Sequence, residues 1–567
     1  MKRLKNKRIL FLGIPVFITI LTLCAFRSVD FKTSKSLEIF FSFFREVNIF
    51  YVDKTDPEQL IQIGIDAMLE SLDPYNEFIT EDNIETLEFQ TTGEYGGMGA
   101  LIRHGLDYPV IAEVYEGSPA HKAGIMAGDI ILWIDSINVK GMPVDLVSKL
   151  LKGAPKTNLS IFIKRHNHID SLQFVFKREK IHIPSVPFYG LVSDNIGYIR
   201  LANFTTDCNK EVERALKNLK SKDKAKGLIL DLRGNPGGLL FEAVKIVNLF
   251  VQKNELVVYT KGQIKEFDQQ YKTPSRPVDT DIPLVVLVDR ASASASEIVA
   301  GALQDLDRAV ILGERTFGKG LVQATRSLPY NTQLKITTAK YYIPSGRCIQ
   351  AVDYSQRDEN GSLGFIPDSL VSEFKTRNGR SVYDGGGITP DIQHQLSLYS
   401  RISSVLYARN ILFDYATLYR HSNKQIHSPD SFYLTDKEFE SFVDYLNQIG
   451  FEYQSQTEYQ LNELVKASKQ EEFMPLIQDL VDSLQSIITK NRKKEIYAYS
   501  FEIKKLLEEE IVSRYYLQNG RSKYIINNDK AIPISLEILN DSDRYLTILS
   551  KASKDSDPFE TLNHVAQ

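Results

Sequence analysis

Three stretches of this 567-residue chain carry residue types and spacings that can do covalent chemistry. The first is Ala291-Ser292-Ala293-Ser294-Ala295-Ser296-Glu297, which follows the apolar run Pro283–Val288 and leads into Ile298–Leu303. A serine on a strand-to-helix turn is exposed and close to backbone donors, which suits a nucleophile. Helix N-capping accounts for one of the three serines, though not for small residues at every position. The second stretch is Asp231-Leu232-Arg233-Gly234-Asn235-Pro236-Gly237-Gly238, directly after the apolar run Gly227–Leu232. Its glycines let backbone N–H groups approach a reacting oxygen, as an oxyanion hole requires. Taken alone, the same residues read equally well as a loop. The third is Gly313-Glu314-Arg315-Thr316-Phe317-Gly318-Lys319-Gly320-Leu321-Val322-Gln323. It matches GxxxxGK, but Gly320 has no hydroxyl for magnesium, and the residues that follow alternate like a strand where a P-loop opens a helix. Nucleotide binding is excluded on those two grounds. None of the nine histidines lies between residues 183 and 393. A Ser–His–Asp triad would have to borrow His182 or His394, and neither sits in a motif, so a lysine base is the simpler reading. His166 and His168 form HxH in a turn between strands, where ordinary exposure outweighs metal binding.

These stretches need elements to hold them. Between residues 181 and 395 strands alternate with helices, and Gly227–Leu232 and Pro283–Val288 are continuous apolar runs of the kind found in buried parallel strands. Residues 93–180 are glycine-rich at Gly93-Glu94-Tyr95-Gly96-Gly97-Met98-Gly99, then alternate in short strands such as Val110–Val114 and Ile130–Ile134. Between those strands stand Gly117-Ser118-Pro119-Ala120-His121-Lys122-Ala123-Gly124-Ile125 and Ala127-Gly128-Asp129, a pattern similar to PDZ domains. A glycine loop of that kind exposes backbone N–H groups to a terminal carboxylate, while the ligand adds as a strand. Residues 35–90 have a helical period and stop near Asp73-Pro74. Residues 396–567 are mostly helical and charged. Thr435-Asp436-Lys437-Glu438 is a capping box, with Phe439, Phe442, Val443 and Leu446 behind it and Gly450 as the stop. Ile477, Leu480, Val481, Leu484 and Ile488 repeat that apolar face.

Bulk properties bound the rest. The chain is 43% hydrophobic and 25% charged, with a net charge of −4, which gives nucleic-acid binding no basic surplus. Cys24, Cys208 and Cys348 form no CxxC pair, and a Cys208–Cys348 disulfide is open but not required. Met1–Arg8 holds five basic residues and precedes the uncharged Ile9–Phe26. That order is an export signal, at the short end for a membrane span. No clean cleavage site follows, so an uncleaved anchor with its basic end in the cytoplasm is expected.

Together these segments resemble the carboxyl-terminal processing peptidases, or tail-specific proteases, which are serine peptidases with a PDZ domain. The resemblance covers about residues 35 to 395 and rests on Ser-Leu-Asp-Pro at 71–74, the PDZ pattern, DLRGNPGG, ASASE, FGKGLVQ and Gly387-Ile388-Thr389-Pro390-Asp391. With the N-terminal signal and the C-terminal helical segments read above, it gives an expected multidomain α/β architecture: a signal anchor or signal peptide over 1–30, a helical region over 31–92, and a β-rich PDZ domain with helices over 93–180. An α/β serine peptidase core of the ClpP/crotonase-like kind follows over 181–395, and a helical domain over 396–567. By the family's register Ser294 is the nucleophile, Lys319 the base and Gln323 the third member. Ala295, Gly237 and Gly238 would supply the oxyanion donors. Gly96, Gly97, Met98 and Gly99 would bind the substrate tail. Tyr75-Asn76 departs from the family's frequent His-Ser and is expected outside the catalytic set. No metal or cofactor is implied. The implied substrates are exported proteins with free, apolar C-termini, met in the periplasm at the inner membrane. The helical C-terminal region is open to adaptor or homo-oligomer contacts. A lysine base must be neutral, which asks for a pKa about 3 to 4 units below the ordinary value, equivalent to roughly 4 to 5 kcal/mol.

Overall fold

The structure, a computed structural model, describes residues 31–357, 363–395 and 399–550. The basic and apolar segment over 1–30 lies outside them. Among the described residues no helix is long and apolar enough to cross a membrane. The described residues begin with a helix over 31–50 and a second, Pro57–Glu70. Asp56 caps the second helix by accepting from the Glu58 and Gln59 amides, and Pro57 fills the first turn, where its missing N–H costs nothing. Helix formation stops at Ser71. The chain then turns at Asp73-Pro74 and forms the strand Glu77–Ile79, which pairs antiparallel with Thr332–Tyr342. Residues 74–76 are thereby carried into the central domain.

Six antiparallel strands form the PDZ-like sheet: five in the order Ala100–Arg103, Val110–Val114, Ile130–Ile134, Asn158–Lys164, Leu172–Lys177, and the short Ile137–Asn138, which pairs with Ile130–Ile134. The PDZ pattern reads directly as local structure. Ser118 caps the short helix Pro119–Ala123 through the His121 amide and donates its hydroxyl to the Gly99 carbonyl. Gly124 ends the helix with φ 84°, a left-handed conformation that glycine adopts without strain. Asp129 is buried, accepts from the Met126 amide at 2.8 Å, and pairs with Arg165 at 2.7 Å.

The central domain holds two sheets. One has the order Phe188–Ser193, Ile196–Arg200, Gly227–Asp231, Leu284–Val288, Val310–Gly313, Ile392–Gln393, parallel except for its first hairpin. Leu284–Val288 is buried at every position, as its apolar run implies. Helices Cys208–Ser221, Leu240–Asn248 and Ala295–Asp305 bury one face of this sheet. The other sheet is antiparallel, with Leu256–Gly262 and Gln270–Lys272 on one side of Thr332–Tyr342, and Glu77–Ile79 and Leu321–Leu328 also pairing with that long strand.

The last of the described helices cover the second face of the parallel sheet. Ile526, Ala531, Ile532, Ile538, Leu539, Tyr545 and Leu549 pack on Tyr198, Ile229, Val285, Leu287 and Leu312. The division at residue 395 therefore separates sequence but not core. Helix Asp436–Gln448 has its capping box and buries Phe439, Phe442, Val443 and Leu446. The apolar face read in Met474–Ala498 does not: Val481 is buried, but Leu480 is 67% and Leu484 46% exposed. That helix packs mainly on Gln456–Gln470, and a two-helix hairpin covers one side only. Cys208 and Cys348 are free thiols, so the open disulfide is absent.

Candidate active site

The two glycine- and serine-bearing loops leave the C-terminal ends of adjacent parallel strands, Gly227–Asp231 and Leu284–Val288, where open α/β sheets place their sites. Asp231 roots the first loop. It is fully buried, accepts from the Tyr198 hydroxyl at 2.6 Å and takes a bidentate bond from Arg233. Its neighbouring cations hold its carboxyl below the usual carboxylate range in spite of burial. Asn235, also buried, donates to the Leu201 carbonyl and accepts the Gly237 amide at 2.9 Å. The second loop is tied to the first through two of its three serines. The Ser292 hydroxyl donates to the Leu232 carbonyl at 2.9 Å and accepts the Asp289 amide at 3.0 Å. The Ser296 hydroxyl donates to the Asn235 carbonyl at 2.9 Å. Both serines are wholly buried, whereas Ser294 between them is partly exposed and lines a cleft.

Ser294 has φ 55° and ψ −113°, a backbone conformation that a side chain adopts only at a cost of about 1 to 3 kcal/mol. It lies just before helix Ala295–Asp305, the strained strand-to-helix turn that displays a nucleophile in other hydrolases. Gly237 is pressed against this turn. A β-carbon there would stand 2.8 Å from Ser294 Cβ and 2.9 Å from the Ala295 nitrogen. Because the Gly237 amide is donated to Asn235, this glycine serves the turn by its lack of a side chain. Gly238 is exposed and lines the cleft with Ala295. The bridge between Phe204 and Gly238 uses the Gly237 carbonyl and the Leu239 amide, so the alternation of extended backbone turns Gly238's own N–H away from Phe204.

Glu297 connects the serine turn to the lysine segment. It is fully buried and accepts four bonds: from the Ser294 amide at 2.8 Å, the Thr316 hydroxyl at 2.6 Å, the Gly318 amide at 2.7 Å and the Lys319 amide at 2.9 Å. Burial pushes its carboxyl up to about 7, against those four donors. In the sequence Glu297 is only the last residue of the ASASE motif, and here it fixes the backbones of Ser294 and Lys319 relative to each other. The Tyr341 hydroxyl does the same from the other side, within reach of both residues' carbonyl oxygens. Gly320 has no room for a side chain, since a β-carbon would meet the Gln350 nitrogen at 2.8 Å, and a strand begins at Leu321. Both facts agree with the rejection of a P-loop.

Lys319 and Gln323 line the same cleft of about 490 Å³ as Ser294. Among the described residues the Lys319 ammonium has no hydrogen-bond or ion-pair partner. Its Nζ sits 3.9 Å from the centroid of the Tyr75 ring. Burial, helped by Lys335, lowers its pKa to about 8, a smaller shift than the sequence argument asked for. Gln323 does not reach the lysine amine in this arrangement; its amide nitrogen donates to Thr337 Oγ1 at 3.1 Å. Asn76 Oδ1 in turn accepts the Thr337 amide at 2.8 Å. Tyr75 and Asn76, expected outside the catalytic set, are thus in contact with the lysine and with the partner of Gln323. No sequence motif signalled this, because the contact depends on the pairing of Glu77–Ile79 with a strand more than 250 residues away. Among the described residues no cluster of metal-ligating side chains is present.

The four residues of the glycine loop fall into a strand and a turn. Glu94–Gly97 is a strand paired with Glu179–His182. Gly96 is needed for close packing, since a β-carbon would stand 2.2 Å from the Gly153 carbonyl oxygen. Only Met98 and Gly99 remain as a turn, and Met98 is buried. The strand that follows, Ala100–Arg103, is an edge strand of the PDZ-like sheet.

A PDZ domain beside a parallel-sheet domain with a serine turn defines the class as a PDZ-bearing serine-type peptidase. Residues 195–359 match the model of peptidase family S41, residues 110–165 a PDZ domain, and residues 402–539 the C-terminal helical domain of probable PDZ-proteases. The chain is 33% identical over 374 residues to a carboxy-terminal-processing protease of Bartonella bacilliformis, covering 65% of this chain and 83% of that one. It is 34% identical over 362 residues to a probable CtpA-like serine protease of Staphylococcus aureus, covering 61% and 72%. A solved photosystem II D1 C-terminal processing protease is 28% identical, covers 63% of this chain and 92% of its own, and superposes with a TM-score of 0.34. The chain belongs to peptidase family S41, among the carboxy-terminal-processing proteases.

Proposed function

We propose that the protein is an endopeptidase that cleaves exported proteins near their C-terminal tails, with Ser294 as nucleophile and Lys319 as general base. The observation that carries this reading is the shared cleft, lined both by one partly exposed serine on a strained turn and by a desolvated lysine that has no ion-pair partner among the described residues. Neutral Lys319 takes the Ser294 hydroxyl proton as Oγ bonds to the scissile carbonyl carbon. The oxyanion is met by the Ala295 and Gly238 amides, with Gly237 giving the close approach. The lysine ammonium returns its proton to the leaving amine as the C–N bond breaks. Water, deprotonated by the same lysine, then hydrolyses the acyl-enzyme and restores the serine. Gln323 orients the amine on rotating away from Thr337.

Tail selection belongs to the PDZ domain. A free carboxylate would meet the Met98–Gly99 turn beside Gly96 and Gly97, and the tail would extend the sheet along Ala100–Arg103. The basic Met1–Arg8 and uncharged Ile9–Phe26 support export with a membrane anchor and a periplasmic peptidase. Hydrolysis of an unfolded protein substrate tests the catalytic pair. Ser294→Ala and Lys319→Ala should each abolish turnover, and the double variant should be no worse. Substantial turnover in either single variant rejects the pair. A reporter that works only outside the cytoplasm, fused after residue 30, should be active; activity of a cytoplasmic reporter instead rejects the orientation.

A further inference from the structure

The Lys319 amine rests on an aromatic face that the proposed reaction does not use. Its Nζ is 3.9 Å from the Tyr75 centroid, well inside the range over which a ring attracts a cation. The ring is half-buried and held by its hydroxyl, its edge and the backbone on either side. Its hydroxyl is 3.2 Å from that of Tyr354, and the two rings meet edge to face at 5.8 Å. The Tyr75 amide donates to Asp73 at 2.9 Å, and Asn76 is held by the Thr337 amide at 2.8 Å. The next three residues, Glu77–Ile79, pair into the antiparallel sheet. We propose that Tyr75 is a positioning residue that holds the Lys319 amine in the cleft and favours its protonated form, so that this ring sets the pH at which the peptidase becomes active. The proposal rests on Lys319 being the base.

The chemistry follows from what a ring face prefers. It attracts an ammonium and does little for a neutral amine, so it opposes the deprotonation that catalysis needs. The charged and titratable groups around Lys319 divide in the same way. Lys335, on the strand Thr332–Tyr342, disfavours the cation. Asp73, before Tyr75, and Glu297, on the helix after the serine turn, favour it. Burial is the largest influence and disfavours the cation. Tyr75 is the group among these that touches the amine itself. It also holds the ammonium without a hydrogen-bond acceptor, so that no such bond has to break when the proton is lost.

The test is kcat/KM against pH for the full-length enzyme and Tyr75 variants, scaled to active sites by fluorophosphonate titration. In Tyr75→Leu the acidic limb should move to lower pH by roughly 0.5 to 1.5 units, the size of a desolvated cation–ring contact. Tyr75→Phe keeps the ring and should stay within about 0.3 unit of wild type, while Tyr75→Trp, with the stronger face, should move the limb upward. A merely structural role would lower activity equally at all pH values and leave the midpoint in place, and that result overturns the proposal. So does a Leu variant whose midpoint moves up or coincides with that of Phe. If the Leu variant does not fold, the Phe–Trp difference decides, and coincident midpoints reject the idea. Lys319→Ala separates the two levels: activity retained there removes the base assignment, whereas activity lost there with unshifted Tyr75 profiles removes only the role of the ring.

Discussion

A buried hydroxyl with two backbone partners is costly to remove, and that distinguishes Ser292 from Ser294. Ser292→Ala strips the Leu232 carbonyl and the Asp289 amide of their side-chain partner and should destabilise the protein by about 2 to 3 kcal/mol, more than a simple cap would. Denaturant unfolding checks this, with residual folded enzyme still active. Ser294→Ala should instead leave stability within about 0.5 kcal/mol of wild type or above it while removing turnover. Glu297 acts through others. Glu297→Gln replaces an acceptor by a donor facing the Thr316, Gly318, Lys319 and Ser294 donors, and should lower kcat by about 10- to 100-fold with KM little changed. An equal rise in KM would show that the substitution damages binding rather than the alignment of serine and lysine.

At the scale of elements, the two strand-ending loops and the lysine segment were legible because each is a local pattern: an apolar run, then small residues, then a helix or an alternating strand. The PDZ pattern was legible for the same reason, since Ser118, Pro119, Gly124 and Asp129 each satisfy a cap or turn within a few residues. Tyr75 and Asn76 were not, because their role depends on a strand pairing with residues 333–335. The extent of the glycine loop also escaped, because the need for Gly96 arises from Gly153 across the fold. If the Met98–Gly99 turn and the edge strand Ala100–Arg103 capture the tail, amidating a substrate's C-terminus should weaken its binding to the full-length Ser294→Ala protein by roughly 10- to 100-fold, the loss of a charge-assisted hydrogen-bond set. Calorimetric titration with free and amidated peptides measures it, and equal affinities would remove the PDZ turn from tail selection.

Across the whole molecule, the helical C-terminus is continuous with the catalytic domain on one side and the PDZ-like domain on the other. Arg103, from the PDZ edge strand, pairs with Asp414 at 2.7 Å and lies over the Phe413 ring, whose ring Arg514 also approaches. Helices Ala531–Asn540 and Ser542–Ser550 close the second face of the parallel sheet. Periodicity marks such helices as amphipathic but does not name the face they cover, which is why residues 396–567 read as a packing or docking domain without a stated partner. Ile538→Ala, a fully buried position against that sheet, should cost about 2 to 5 kcal/mol. Thermal inactivation of the peptidase should track the loss of helical signal in one transition. A variant in which helices melt while the peptidase stays active to its wild-type temperature would show that the two are separate units.

The central claim, that Ser294 is activated by Lys319, is tested most directly by the rate at which a fluorophosphonate labels the intact protein between pH 6 and 10, with the modified residue located by mass spectrometry. The adduct should sit on Ser294, its rate should rise with pH through a midpoint near the lysine value of about 8, and Lys319→Ala should abolish labelling. An adduct on Ser292 or Ser296, or an unchanged rate and profile in Lys319→Ala, would contradict the account.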